Sequence, residues 1–329
     1  VRIDFTAEGI HLPEIGLWLD PAADSDAAWI SHAHEDHAGG RHNTVLATAE
    51  TIEFYKLRFE GHGPLYYPLR FGEPIEWHGA RLTAFAAGHV LGSAQLLVEL
   101  RGERVLYTGD VKLRPPLGGL AAETVRAHRL ILESTFGLPV FHFLTREQAS
   151  ERIVGFAREC LASLTVPVFL AHPLGRAQEV LGALAEAGVP AAVDRTAAAY
   201  LPMYEAAGFR FPGCLPLDGP VPEGAALVAP RGFRRDMEAA GRKMRVAYVS
   251  GWAALDNARA RSGAEELIPY SEHADFEELL ELVAASGARE VDVVHGYAEP
   301  FARILRQRGI AAQPQTAPFA RGRAPEAGR

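Results

Sequence analysis

The segment SHAHEDHAGG, residues 31 to 40, sets three histidines, an aspartate and a glutamate in six consecutive positions. Imidazole nitrogen and carboxylate oxygen suit zinc, manganese or iron, and a donor set without cysteine fits a catalytic centre better than a closed structural one. In an extended segment residues two apart point the same way, so His32 and His34 would grip one ion. Asp36 continues that row, whereas His37 faces elsewhere and is free to reach a second ion. A single His-x-His is more often an exposed loop that collects metal adventitiously. His-x-His-x-Asp-His between the apolar run AWIS and Gly39-Gly40 is a much narrower pattern.

The elements around this segment read as strands that deliver further donors. RLTAFAAGH (81–89), AQLLVEL (94–100), RVLYTGD (104–110) and RLILEST (129–135) are apolar runs with polar or Gly-containing exits. Three of them end in His89, Asp110 or Glu133, and strand ends opening into loops are where rigid scaffolds display reactive groups. TREQ (145–148) fits a capping box and starts a helix with apolar residues at helical spacing. TVPVFLAH (165–172) reads as a buried strand and GRAQEVLGALAEAG (175–188) as a helix stopped by Gly188. Short apolar runs interrupted by Pro and Gly follow, as in a compact α/β unit with its own small sheet. HADFEELLELVAASG (273–287) is amphipathic, EVDVVHG (290–296) is a strand ending in His295, and EPFARILRQRG (299–309) is a closing helix. The Ala, Pro and Arg-rich tail from residue 312 is expected to be disordered.

Composition bounds the function classes. The 329 residues are 48% hydrophobic, enough for two domains with substantial cores. No run of eighteen apolar residues is present, so a membrane span is not expected, and the N-terminal sequence lacks the pattern of an export signal. The two cysteines, Cys160 and Cys214, are not in Cys-x-x-Cys spacing; neither a disulfide framework nor a cysteine zinc site is expected, and a reducing cytoplasm is the simplest setting. The net charge of −8 argues mildly against a nucleic-acid partner, but the acidic excess lies outside residues 145–250. Within that segment RGFRRDMEAAGRKMR concentrates basic side chains, which is either a solvated face or a phosphate-tracking surface.

SHAHEDH resembles the signature of the metallo-β-lactamase fold, an αββα sandwich holding two metals at its strand ends. The similarity continues in order with Asp20 in LWLDP, His89 in AAGHVLGSAQ and Asp110 in YTGD. Glu133 in LESTFG, His273 in SEHAD and His295 in VVHG resemble the additional motifs of the β-CASP branch, whose members cut nucleic acids. AAGHVLGSAQ, ESTFGLPVF, PLGRAQEVL, SEHADFEELLEL and VHGYAEPFARIL are further similar to the bacterial ligase-associated DNA exonuclease group. The resemblance implies a metallo-β-lactamase domain formed by 1–144 and 246–311, with a compact β-CASP α/β domain inserted at 145–245.

It also implies roles. Two divalent ions, zinc or manganese, are expected: one on His32, His34 and His89, the other on Asp36, His37 and His295, with Asp110 bridging. Asp20 would orient the histidine loop, Asp36 the attacking water, and His273, held by Glu133, would serve the leaving oxygen. His273 could instead be a helix-start residue with Ser271 as N-cap. Ser93, Arg176, Arg234 and Arg235 are candidate substrate contacts, and a structural or substrate-edge role is open for His172. The expected activity is phosphodiester hydrolysis on single-stranded or end-containing DNA in repair, with a DNA ligase and a helicase as implied partners. An RNA substrate, or less readily a small-molecule ester or thioester, is the rival.

Overall fold

The computed structural model describes residues 1–59, 63–116, 120–233 and 243–315. They divide into two units: one contains the chain up to Arg114, the stretch ending at Pro139 and the chain from His273; the other contains Val140–Glu272.

In the first unit, β1 (Asp4–Phe5), β2 (Ile10–Leu12), β3 (Leu17–Leu19), β4 (Ser25–Trp29), β5 (His42–Ala47) and β6 (Leu65–Pro68) form one sheet in chain order, antiparallel from β1 to β3 and parallel from β3 to β6. Helix α1 (Ala49–Arg58) follows β5. The second sheet begins as an antiparallel meander of β7 (Pro74–Trp77), β8 (Ala80–Ala86), β9 (Ala94–Leu100) and β10 (Glu103–Tyr107) and continues with β11 (Arg129–Glu133), parallel to β10.

The chain then builds the second unit. Helix α2 (Arg146–Ala162) starts with the expected capping box, in which Thr145 and Gln148 satisfy each other's backbone N–H groups. Helix α3 (Arg176–Glu186) follows β12 (Val166–Leu170). The remaining strands are β13 (Ala191–Val193), β14 (Cys214–Pro216), β15 (Ala226–Ala229), β16 (Met244–Val249) and β17 (Glu266–Ile268). They make a parallel sheet of order β14-β13-β15-β12-β16-β17. All five residues of β12 are buried, as suits a central parallel strand covered on both faces.

Helix α4 (Phe276–Ser286), strand β18 (Glu290–Val294), helix α5 (Ala298–Gln307) and strand β19 (Ala311–Pro314) complete the first unit. β18 and β19 add to the parallel side of the second sheet, in the order β19-β18-β11-β10.

The layering follows from alternation along the strands. Leu96, Val98 and Leu100 of β9, Ile131 of β11 and Val294 of β18 join Leu17, Leu19 and Trp29 of the first sheet in one core between the sheets. Leu97, Leu130, Leu132, Val291 and Val293 point the other way, against Phe276, Leu279 and Val283 of α4 and Phe301 and Leu305 of α5. Ile52 and Tyr55 of α1 cover the outer face of the first sheet. The result is the expected αββα sandwich.

Two boundaries differ from the sequence reading. Residues after 245 do not return to the first unit, because β16 hydrogen-bonds to β12 from Met244 to Tyr248; the return comes at His273. An apolar run such as MRVAYV specifies a strand, not the sheet it joins. The tail also begins later than expected, because Ala311–Pro314 pairs with β18 despite a composition that carries no strand signal. Residues 316–329 lie outside the described residues.

Phe301 is fully buried and packs edge-on to Phe276, with ring centroids 6.1 Å apart. Phe301→Ala should lower the unfolding free energy by about 3–5 kcal/mol, measured by urea denaturation.

Candidate metal centre

The parallel strands β10, β11 and β18 all run toward the same end, and their exits carry Asp110, Glu133 and His295. The loops after β4 and β8 bring His32, His34, Asp36, His37 and His89 to that end. The histidine loop is not extended as expected. It closes into a turn, with the His37 and Ala38 N–H groups both donating to the His34 carbonyl, at 3.1 and 2.8 Å. The turn folds His37 back toward the strand ends and leaves the Asp36 side chain largely exposed.

Three imidazoles face one another. Ring centroids are 4.8 Å apart for His32 and His34, 4.6 Å for His32 and His89, and 4.8 Å for His34 and His89. The Asp110 Oδ2 atom lies 3.5 Å from His32 Nε2 and 3.6 Å from His89 Nε2, so these four residues offer donor atoms within one 4.8 Å cluster. On the other side, Asp110 Oδ1 is 3.4 Å from His37 Nε2. His37 Nε2 is 3.9 Å from Asp36 Oδ2, and the His37 and His295 rings are 5.0 Å apart. Each carboxylate oxygen of Asp110 therefore faces a different group of histidines.

Asp20 anchors the arrangement. Its Oδ1 accepts the Ser31 backbone N–H at 2.7 Å, and its Oδ2 accepts the Ser31 hydroxyl, His37 Nδ1 at 2.8 Å and the Tyr107 hydroxyl at 2.8 Å. Sequence reasoning found Asp20 but missed Ser31 and Tyr107. Their signal was adjacency: Ser31 precedes His32 in SHAH, and Tyr107 opens YTGD. Ser31 Oγ also lies 3.0 Å from His32 Nδ1, so one hydroxyl links the orienting acid to a second ring.

Glu133 and His273 form a hydrogen-bonded pair, with 3.0 Å between Oε1 and Nδ1. The Val111 and Thr135 backbone N–H groups also donate to Glu133, at 3.0 and 3.1 Å. Burial pushes the Glu133 carboxyl up, but His273 and these donors outweigh it and hold the group down at about 2. His273 is not a helix cap residue: Asp275 caps α4 in a capping box with Glu278. Asp20 (φ 44°) and His295 (φ 57°) are non-glycine residues in the left-handed region, a conformation that their surroundings must hold in place. Gly296 after His295 allows the chain to lie against Ser134, since a Cβ there would be 2.4 Å from the Ser134 carbonyl oxygen.

The donor chemistry fits divalent cations. His32 Nε2 is buried without a hydrogen-bond partner and faces Asp110. Burial first, with Glu133 and Asp36 adding to it, pushes the Asp110 carboxyl up to about 7 against the pull of His37 and His273. Burial would lower His37, but Asp110, Asp36 and Asp20 hold it well above the usual imidazole range. Burial and His37 push His295 down to about 4. A bound cation would relieve the crowded carboxylates and occupy the inward nitrogens. Asp36, His34 and His273 are not buried, so a cation held here would stay accessible from their side, as a catalytic ion must.

The expected substrate contacts fare differently. Ser93 is buried, and its hydroxyl accepts the His89 and Val90 N–H groups at 3.0 and 3.1 Å, which shapes the His89 loop. Arg176, at the start of α3 in the second unit, is engaged by Glu272 and by Ser250 Oγ at 3.3 Å, so its charge is already compensated. Exposed His172 has its Nδ1 3.1 Å from the Leu174 carbonyl oxygen. Arg234 and Arg235 lie outside the described residues.

No family model matches the chain. A protein named Probable DNA ligase from Opitutus terrae is 33% identical over 312 residues, 93% of this chain and 30% of that protein. Cleavage and polyadenylation specificity factor 73 of Drosophila melanogaster is 35% identical over 198 residues, 50% of this chain and 28% of that protein. An RNase J-like protein of Methanocaldococcus jannaschii is 26% identical over 181 residues, 47% of this chain and 42% of that protein. The chain thus spans less than half the length of each of these curated relatives. A crystal structure of a protein of unknown function from Enterococcus faecalis matches with a TM-score of 0.59 and 14% identity, covering 83% of this chain and 76% of that one, which speaks to the fold alone. Homologues of the chain include β-CASP nucleases of the metallo-β-lactamase fold, and its αββα sandwich agrees with that fold.

Metal uptake should release protons. In the metal-free protein His37 stays protonated at neutral pH, and Asp110, pushed up to about 7, is partly protonated. A cation competes with both protons, so affinity should rise with pH and fall as the solution is acidified. Calorimetry in buffers of different ionisation enthalpy should show about one to two protons released at pH 6. Asp20→Asn should weaken metal binding about 10–100-fold.

Proposed function

We propose that the chain is a metal-dependent nuclease that cuts DNA, as an exonuclease on single-stranded or end-containing substrate, in repair. The observation that carries the nuclease reading is the convergence of His32, His34, His37, His89, Asp110 and the Glu133–His273 pair at one end of the sandwich. The DNA reading is supported by the extent of similarity. The ligase-named relative matches 93% of the chain, whereas the factor from Drosophila and the RNase J-like protein match 50% and 47%. The ligase name also supports a DNA ligase as partner; a helicase rests on the sequence resemblance alone.

In this reading His32, His34 and His89 hold one ion, Asp36, His37 and His295 hold the other, and Asp110 serves both. The ions would supply an activated water and neutralise charge on the attacked phosphate. Exposed Asp36 orients that water. Glu133 accepts the Nδ1–H of His273, which fixes the orientation of the ring. When doubly protonated, His273 would also carry an Nε2–H to give to the leaving oxygen. His273 keeps part of its ring exposed, as a group that meets substrate must. The alternative substrate is RNA, which the names of the two shorter matches favour.

Matched end-labelled DNA and RNA strands, incubated with the manganese- or zinc-loaded protein, separate the two readings. DNA cleavage is expected, abolished by combined Asp36→Ala and His37→Ala and reduced about 10²–10⁴-fold by His273→Ala. Cleavage confined to RNA would move the protein to RNA processing. A metal-loaded protein that cuts neither strand would overturn the nuclease reading.

A further inference from the structure

The same three parallel strands have a second end. β10, β11 and β18 begin at Glu103, Arg129 and Glu290, and the residues around these starts include Arg104, His128 and Arg289. Together with Arg126 they line a recess of about 210 Å³ in the first unit, closed on one side by Ser286 and Gly287 at the end of α4. A five-residue strand separates this recess from Glu133, so it lies on the order of 15 Å from the metal centre.

The recess is basic, and no acid lines it. Among the described residues Arg126 and Arg289 form no ion pair and no side-chain hydrogen bond, although both are exposed. Arg104 Nε lies 3.3 Å from Glu99 Oε1, so its charge is shared. The acidic neighbour at the start of β18, Glu290, faces Arg129 at 3.9 Å. His128 Nδ1 accepts the Arg104 backbone N–H at 3.1 Å, which leaves the ring proton on Nε2 as a further donor. Gly287 sits in the left-handed conformation, and a Cβ there would come 2.6 Å from Arg126 Nη1. The glycine therefore lets the guanidinium lie against the helix end.

The bland account of these arginines is attraction to the carbonyl end of α4. That account explains a cation near Gly287. It does not explain why two uncompensated guanidiniums and an imidazole donor converge on one concavity from two segments far apart in sequence. Convergent guanidinium and N–H donors are the usual complement of a phosphate. The volume is below the ~300 Å³ lower end of pockets for larger ligands.

We propose that Arg104, Arg126, His128 and Arg289 form a binding site for a phosphate group, separate from the metal centre. The ligand is free phosphate or the phosphate of a mononucleotide; the second source rests on the nuclease reading, the first does not.

The test uses the full chain with its metals bound. Inorganic phosphate and a deoxynucleoside 5′-monophosphate are titrated separately by calorimetry into wild type and into the Arg126→Ala/Arg289→Ala variant. Both positions are exposed, so the variant should fold and should keep wild-type cleavage of nucleic acid. Wild type should show two classes of phosphate site, one of them the metal centre. The variant should weaken the other class about a hundredfold, about tenfold for each guanidinium lost. A nucleotide at least about tenfold tighter than phosphate identifies the nucleotide as ligand, and equal affinity identifies free phosphate. Isotherms that superimpose for variant and wild type, or a single class of site in wild type, would overturn the proposal.

Discussion

The structure depends on one buried carboxylate. Asp110 sits at the exit of β10 with both oxygens committed to histidines on opposite sides, and its burial makes a lone negative charge there costly. The surrounding groups only partly solve that problem. Glu133 and Asp36 raise the Asp110 carboxyl further, while His37 and His273 pull it down. Such a cluster is internally frustrated without cations and satisfied with them. Everything around it works to stop the frustrated groups from swinging apart. Asp20 fixes His37 and the start of the histidine loop, Ser93 fixes the His89 loop, and Ser134 donates to the His295 carbonyl at 2.7 Å.

That constraint explains why a sheet of mixed direction carries the centre. The antiparallel β8–β9–β10 meander places the His89 loop beside Asp110, because β8 and β10 run the same way with β9 between them. The parallel β10, β11 and β18 then place Asp110, Glu133 and His295 at one level. Ligands gather at the carboxyl ends of parallel strands because the loops there leave the sheet together. Among the described residues all the clustered metal donors lie in the first unit.

Much of this was legible in the sequence because the donors are local. His32 to His37 lie within six residues, and His89, Asp110, Glu133 and His295 each close an apolar run of strand character. The strands that carry the donors and the capping box at Thr145 were likewise encoded in short patterns. What could not be read were facts that depend on nonlocal pairing. The sheet joined by MRVAYV and the strand made by AAQP are decided by hydrogen-bond partners far away in sequence. The turn at His34 was hidden for a related reason: period-two reasoning presumes extension, and this segment closes on itself. The partners of Ser93 and Arg176 within the protein were hidden too, because a polar side chain in a promising loop carries no label for whether it faces outward or inward.

The arginines at the opposite strand ends show the same limit from the other direction. Arg104, Arg126, His128 and Arg289 belong to segments separated by up to 185 residues and share no motif. The parallel register brings them together: Arg129 pairs with Val105 on one side and with Glu290 on the other, which aligns the approaches to all three strands. A parallel sheet has two chemically different ends. At one, loops have accumulated carboxylates and imidazoles that demand cations. At the other, uncompensated guanidiniums have gathered, and they demand an anion by the same electrostatic logic. The strand directions therefore set the carboxylate–imidazole cluster and the two uncompensated guanidiniums at opposite ends of the sheet, and each end can bind its ligand without neutralising the other.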